Sequence, residues 1–321
     1  MSPEVTIVVV PRERFSLTEK CLETIEARTP EAHHLIVIDG KSPGQVSRML
    51  KAWEAAHENC RVLRTKRFLY PYEAKNIALE HLKTEWAVFV DSDVMVGPRW
   101  LTHLLEAAHA MGGNVVHPLY LVEQEGKLRI HMTDGKIHER ESGGRTHVHP
   151  VMGHAFQHVG EARDLTRKES DFLEFHCFMI RRSLLERLGP FDPYTLAEDM
   201  HFSFRLRQLN EKIIFEPRSV ITYVAGPPFA WDDLPYFRFR WDLERGRESV
   251  THMRRLWSFT EAWCTSKLSW ERYHHSRALP GFSIQRRVRH WTGRTSSEIV
   301  RQLRALFPIL RKQEKAGKET A

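Results

Sequence analysis

Cysteine is scarce in this chain of 321 residues: Cys21, Cys60, Cys177 and Cys264 are widely scattered, and no CxxC pair occurs. Such spacing supports neither a zinc knuckle nor a disulfide framework, so the four are read as reduced thiols. Long apolar runs are also missing. A membrane-crossing helix needs roughly 20 apolar residues, whereas the longest early run, Val5–Val10, is strand-sized and lacks the basic start and cleavage site of a secretory leader. The expectation is a soluble, cytoplasmic protein. Glycine is absent from the segment after that run, Pro11-Arg-Glu-Arg-Phe15. This weighs against sugar-phosphate nucleotidyl transfer, which normally wants a glycine-rich phosphate loop there. No internal repeat is visible.

Charge of one sign is lacking in the first 225 residues, where 29 Lys+Arg stand against 31 Asp+Glu; residues 226–321 carry 19 against 10 and so hold the whole net charge of +7. Six of the nine tryptophans lie in that same tail. A basic, aromatic segment can meet anionic lipid, an anionic acceptor or nucleic acid, although a helical extension with solvated arginines is the simpler expectation. Trp231-Asp-Asp-Leu-Pro-Tyr-Phe-Arg-Phe-Arg-Trp241 and the basic stretch Arg286–Lys312 are the places where an acceptor cleft or a peripheral contact at the inner face of a membrane would form. Nucleic acid is the less favoured partner. Residues 312–321 read as a frayed end.

Strand-like runs at Val5–Val10, Leu35–Ile38, Arg61–Leu63 and Trp86–Val90 alternate with helical periodicity near Leu17–Ala27, Gln45–His57, Glu73–Leu82 and Trp100–Ala110. This order predicts an α/β unit, a mostly parallel sheet with helices on both faces. Ligands of such sheets collect at the carboxyl ends of the strands, which directs attention to Pro11–Arg14, Asp39–Ser42 and Asp91–Asp93. Beyond His117 the pattern shortens, with hairpin turns expected at Glu125-Gly126 and Asp134-Gly135. A strand at Phe175–Ile180, helices at Ser183–Leu188 and Asp199–Leu209, and strands near Ile213–Phe215 and Val220–Val224 close the unit, predicted to span 1–225. Helical periodicity follows over 226–321.

Asp91-Ser92-Asp93 leaves a buried-strand pattern with two carboxylates on one side. Such hard oxygen ligands suit Mg²⁺ or Mn²⁺, ions that keep part of their shell for phosphate oxygens. As a lone triplet it is more often a turn or a cap. Asp39-Gly-Lys-Ser42 occupies the equivalent lip of the preceding unit, where an acid can accept a hydrogen bond from a base or ribose. Glu198-Asp199 opens a helix, the usual place for a cap, yet Asp199 would serve as general base if it faced the metal. The middle section is rich in histidine: His147, His149, His154, His158 and His176 match no regular helical zinc spacing. Of these, His176 leads into the block most suited to function.

Taken together, these motifs resemble glycosyltransferase family 2, over Val5 to about Val224. The residues that carry the likeness are Val5-Thr-Ile-Val-Val-Val-Pro11, His34-Leu-Ile-Val-Ile-Asp39, Glu73-Ala-Lys-Asn76, Phe89-Val-Asp-Ser-Asp93, Leu188-Gly-Pro-Phe-Asp192 and Ala197-Glu-Asp-Met-His201. The resemblance implies a GT-A fold, a Rossmann-like nucleotide-sugar domain with a C-terminal helical extension. It implies inverting transfer from a nucleoside-diphosphate sugar, UDP-linked by preference, to a hydroxyl acceptor. By the same likeness Pro11, Arg12, Asp39 and Lys75 contact the nucleotide, with Ser92 in the donor pocket. Asp93 ligates Mn²⁺ or Mg²⁺, Asp91 stands beside it on the ribose or sugar side, and Asp199 is the base. Three positions depart from the family pattern: Arg12-Glu13-Arg14 after the first strand, Lys75 where arginine is common, and Tyr223 where many members place a metal-side histidine. A catalytically silent lipid- or nucleic-acid-binding protein of the same fold is the alternative of a different class; acids at all three strand ends argue against it.

Overall fold

The computed structural model describes residues 4–124, 127–142, 145–162, 165–225 and 229–277. The first half alternates strand and helix: β1 (Val5–Val10), α1 (Thr18–Arg28), β2 (His33–Gly40), α2 (Gly44–Ala56), β3 (Cys60–Thr65), α3 (Pro71–Leu79), β4 (Trp86–Asp91), the short β5 (Val94–Val96) and α4 (Trp100–Met111). The second half holds β6 (Val115–Gln124), β7 (Lys127–Met132), β8 (Gly135–Ser142), β9 (Arg145–Met152), β10 (Lys168–Ser170), β11 (Cys177–Arg181), α5 (Arg182–Leu188), α6 (Glu198–Gln208) and β12 (Ile213–Val224). Three helices follow, α7 (Leu234–Arg240), α8 (Leu243–Trp257) and α9 (Glu261–Arg277).

The main sheet runs in the order β10-β12-β6-β11-β4-β1-β2-β3, with β5 added to β12 and β7 to β6. β3, β2, β1 and β4 are mutually parallel, and β11 enters antiparallel between β4 and β6, so that β6 and its parallel neighbour β12 point the same way as β4. Every residue of β1 and β4 is buried, which is why these strands read as unbroken apolar runs rather than alternating ones. The core beneath one face gathers Val8, Val10, Phe89, Phe178, Phe191 and Phe202. Helix α3 starts cleanly because Pro71 has no N–H to leave unpaired and Glu73 Oε2 accepts from Tyr70 N at 2.8 Å.

Two expectations need correction. The Asp134-Gly135 turn does not fold β7 back onto β8: β8 leaves the sheet and pairs with β9 instead, Gly135 opposite Met152 and Ser142 opposite Arg145. The stretches at Ile213–Phe215 and Val220–Val224 belong to a single strand, β12, whose register on β6 shifts between Glu216 and Val220. Pro217 stands inside that irregularity and cannot donate to a ladder.

Residues through Tyr273 form one compact unit. Within it, the segment after residue 228 ties down loops of the α/β body. Asp233 Oδ1 accepts from the backbone N–H groups of Phe15 (2.8 Å) and Ser16 (3.0 Å) in the loop after β1. Tyr236 donates its hydroxyl to Leu69 O at 3.0 Å, ahead of α3. Ser249 accepts from Thr195 N at 3.1 Å, and Trp257 Nε1 donates to His201 Nδ1 at 3.0 Å. The basic stretch 286–312 and the frayed end expected at 312–321 lie outside the described residues. Among the described residues, no helix is long and apolar enough to cross a membrane.

Candidate functional site

β1 and β4 pair in register, with Val10 opposite Asp91. The loop after β1 and the Asp91–Asp93 segment therefore leave the sheet side by side. Ser92 is consumed by that junction, its N–H donating to Val10 O (2.8 Å) and its hydroxyl to Arg14 O (3.2 Å). Pro11 is buried at the same place. Asp91 Oδ2 takes His176 Nδ1 at 3.0 Å and lies 3.6 Å from Arg12 Nε. The other oxygen, Asp91 Oδ1, and Asp93 Oδ1 are buried with no hydrogen-bond donor among the described residues. Burial, reinforced by Asp91 and Glu13, pushes the Asp93 carboxyl up to about 7. Two buried hard oxygens without a donor are what a divalent ion can take, and carboxylate oxygens fit Mn²⁺ or Mg²⁺.

Arg12 is only 11% exposed and bridges two acids, Asp91 and Glu198, the latter at 2.7 Å. Arg240, buried on α7, approaches the same Glu198 oxygen at 3.2 Å and donates to Thr195 O at 2.6 Å. The result is an alternating chain, Asp91–Arg12–Glu198–Arg240. Burial would raise the Glu198 carboxyl, but the two guanidiniums hold it below its ordinary value. Burial would likewise lower Arg12, and Glu198 with Asp91 more than reverses it. Glu198 follows Ala197, whose φ of 61° is left-handed for a residue with a Cβ. That strain, of order 1–3 kcal/mol, sits where α6 aims its first two side chains. Asp199, next in line, is pushed up to about 7 by burial first, then by Glu174, with Glu198 adding to it against Lys267.

Across from Asp91 lies a histidine group. The loop carrying Glu174 and His176 is pinned by Tyr120, whose hydroxyl bonds to Glu174 O (2.8 Å) and Cys177 O (2.9 Å), and by Asp91 N donating to His176 O (3.0 Å). His131, on β7, has Nε2 3.7 Å from Glu174 Oε1 and Nδ1 3.2 Å from the Tyr223 hydroxyl. Tyr223 in turn stacks on His176, ring centroids 4.0 Å apart.

The structure thus brings Arg12, Asp91 and His176 into direct contact, with Asp93 two residues after Asp91 and Asp199 next to the Glu198 that Arg12 holds. Lys75 is different: it is fully buried, its Nζ has no hydrogen-bond acceptor and lies 4.7 Å from the Phe175 ring centre, and burial lowers its pKa to about 8. Asp39 is also enclosed; Oδ1 accepts from Ser42 N at 2.7 Å, and Oδ2 pairs with Arg64. His147 and His149 lie on β9, and His154 bonds Gln157 Oε1 at 3.0 Å in a turn, so His154 and His158 share no helix. The sequence reading missed His131, Arg64, Glu198 as the centre of an ion network, Arg240 and Asp233. The Glu174-x-His176 spacing was the one local clue to the histidine group.

Residues 6–189 match the family described as Glycosyl transferase family 2. Among solved structures, the chain is similar to GalNAc-T7 with UDP, GalNAc and Mn²⁺ (17% identity, 86% of this chain and 59% of that one, TM-score 0.52). It is similar to the mannosyltransferase PcManGT from Pyrobaculum calidifontis in complex with GDP-Man and Mn²⁺ (15% identity, 95% of this chain and 81% of that one, TM-score 0.53). A third likeness is to S. aureus TarS in complex with UDP-GlcNAc (16% identity, 88% and 76%, TM-score 0.50). A curated relative, the uncharacterized protein y4gI of Sinorhizobium fredii, is 22% identical over 271 residues; the match spans 80% of this chain but 28% of that protein's length. These likenesses show a shared fold, and the family match covers more than half of the sequence. The chain belongs to glycosyltransferase family 2 and carries its GT-A fold.

Proposed function

We propose that the protein is a metal-assisted, inverting glycosyltransferase that moves a sugar from a nucleoside-diphosphate sugar, a UDP-sugar by preference, to an acceptor hydroxyl. The observation that carries this reading is the pair of buried oxygens, Asp91 Oδ1 and Asp93 Oδ1, that have no hydrogen-bond donor among the described residues, with Arg12 linking Asp91 to Glu198, the neighbour of Asp199. Family membership and the nucleotide sugars and Mn²⁺ in the similar structures support it.

Asp93, with Asp91 beside it, would hold Mn²⁺ or Mg²⁺, which when bound neutralises charge on a departing diphosphate. Arg12, already poised between Asp91 and Glu198, adds a fixed guanidinium to the donor side. Asp199 takes the proton of the acceptor hydroxyl. A carboxyl poised at about 7 is well matched to that task near neutral pH. Attack from the side opposite the leaving group inverts the anomeric carbon. Residues 1–225 supply the donor and catalytic groups in this reading.

The test is calorimetric titration of UDP and GDP with and without Mn²⁺, repeated on Asp39→Ala and Asp93→Ala. Metal-enhanced binding of one nucleotide, lost in Asp93→Ala, is expected. Folded protein that binds neither nucleotide would overturn the reading in favour of a silent binding protein.

A further inference from the structure

We propose that His131, Glu174 and His176 form a second divalent-metal site, separate from Asp93, that takes a transition-metal ion through two imidazole Nε2 atoms and one carboxylate oxygen. Each of the three offers a ligand atom within 4.8 Å of the others. Tetrahedral coordination with bonds near 2.0–2.2 Å needs ligand atoms roughly 3.3 Å apart, so a small side-chain rotation closes the set around an ion.

Four features show that this group is built rather than incidental. The backbone beneath Glu174 and His176 is fixed by the bifurcated Tyr120 hydroxyl and by Asp91 N. Both histidines have the outer ring nitrogen engaged: His176 Nδ1 with Asp91 Oδ2 at 3.0 Å, and His131 Nδ1 with the Tyr223 hydroxyl at 3.2 Å. Metal-binding histidines are oriented in this manner, a carboxylate or other oxygen taking one N–H so that the remaining nitrogen presents its lone pair. His131 is also placed by a local irregularity of the sheet. Tyr120 pairs with Met132 and Leu121 with Ile130, leaving His131 as the extra residue of a bulge. Bulges recur beside functional sites because they re-aim one side chain. Finally, the two histidines are buried polar residues with ring centroids 5.5 Å apart at 77°, perpendicular rather than stacked.

Two imidazoles and a carboxylate suit Zn²⁺, Co²⁺ or Mn²⁺ better than Mg²⁺. Three protein ligands leave at least one coordination position open for water or a ligand oxygen. Tyr223 then has a role that its departure from the family pattern conceals. It holds His131 and stacks on His176 rather than ligating an ion itself.

The test uses the full chain, stripped of metal by chelator and titrated with Co²⁺ in the absence of any nucleotide, read by visible d–d absorption and calorimetry. One equivalent is expected to bind in the wild type and in Asp93→Asn, and about tenfold or more weakly in His131→Ala and Glu174→Gln. Circular dichroism confirms that each variant is folded. Should the histidine variant unfold, Tyr223→Phe keeps the ring stack and removes only the oxygen on His131; about tenfold weaker binding is expected there too. Absence of nucleotide-independent Co²⁺ binding in the wild type, equal binding in Glu174→Gln, or loss confined to Asp93→Asn would each overturn the site. Because no nucleotide is present, the result stands apart from the success or failure of the nucleotide-sugar reading.

Discussion

Two strand ends flank β1, and they treat their acids in opposite ways. At the end of β2, both oxygens of Asp39 are occupied, by Ser42 N and by Arg64 on β3. At the end of β4, Asp91 and Asp93 each keep one buried oxygen that nothing among the described residues satisfies. Sequence position is equivalent in the two lips, and so is residue type. What separates a closed turn from a ligand-ready pocket is the neighbouring strand: β3 brings an arginine to Asp39, while β11 is preceded by a histidine that claims one oxygen of Asp91 and leaves the other. A buried oxygen without a donor costs folding energy, about 1–3 kcal/mol for a neutral group and more when charged, so its persistence points to a ligand.

The comparison is broken most sharply at Asp199, which the open lip should serve. Asp199→Asn is expected to lower the transfer rate by roughly 10²–10⁴-fold while nucleotide affinity stays unchanged, as steady-state kinetics and calorimetry would report. In the wild type, kcat/KM should climb with pH and level off above about 7, because only the deprotonated Asp199 accepts the hydroxyl proton. A rate that is flat from pH 5 to pH 8 would remove Asp199 from this role. A smaller effect is expected at Glu198. Glu198→Gln leaves Arg12 and Arg240 as buried cations without their shared partner, and urea unfolding should show a loss of about 3 kcal/mol. The closed lip should respond least. Asp39→Asn weakens one turn and one pair with an arginine that is 39% exposed, so about 1–2 kcal/mol is expected by thermal unfolding. A loss as large as that of Glu198→Gln would erase the distinction between the two lips.

Much of the donor half was legible because β1 and β4 are apolar runs buried on both faces, Val5–Val10 above all, while α3, expected at Glu73–Leu82, begins two residues earlier at Pro71. Asp91, Asp93 and Asp199 stood out as candidates by order and spacing. The upward push on Asp93 and Asp199 could not be read there, since it comes from burial first, then from Asp91 and Glu13 for the one and Glu174 for the other. His131 was invisible for a sharper reason: a bulge is a mismatch between two strands, and one strand's sequence does not contain its partner's register. The Asp134-Gly135 turn misled because a turn dipeptide specifies a bend but not which strands pair across it. Arg64 and Asp233 act on residues remote in sequence, beyond the reach of any local periodicity.

The tether from Asp233 to Phe15 and Ser16 also sets an order in time. The paired residues are 218 positions apart in the case of Phe15, and ribosomes add roughly 5–20 residues per second. The loop after β1 is therefore made some 10–40 s before its carboxylate partner exists. During synthesis the parallel strands can assemble while this loop stays uncapped, and arrival of Asp233 becomes a late locking event. A nascent chain stalled short of residue 233 would be sheet-like in its amide protection yet open to protease at Phe15, a distinction visible in ribosome-bound intermediates.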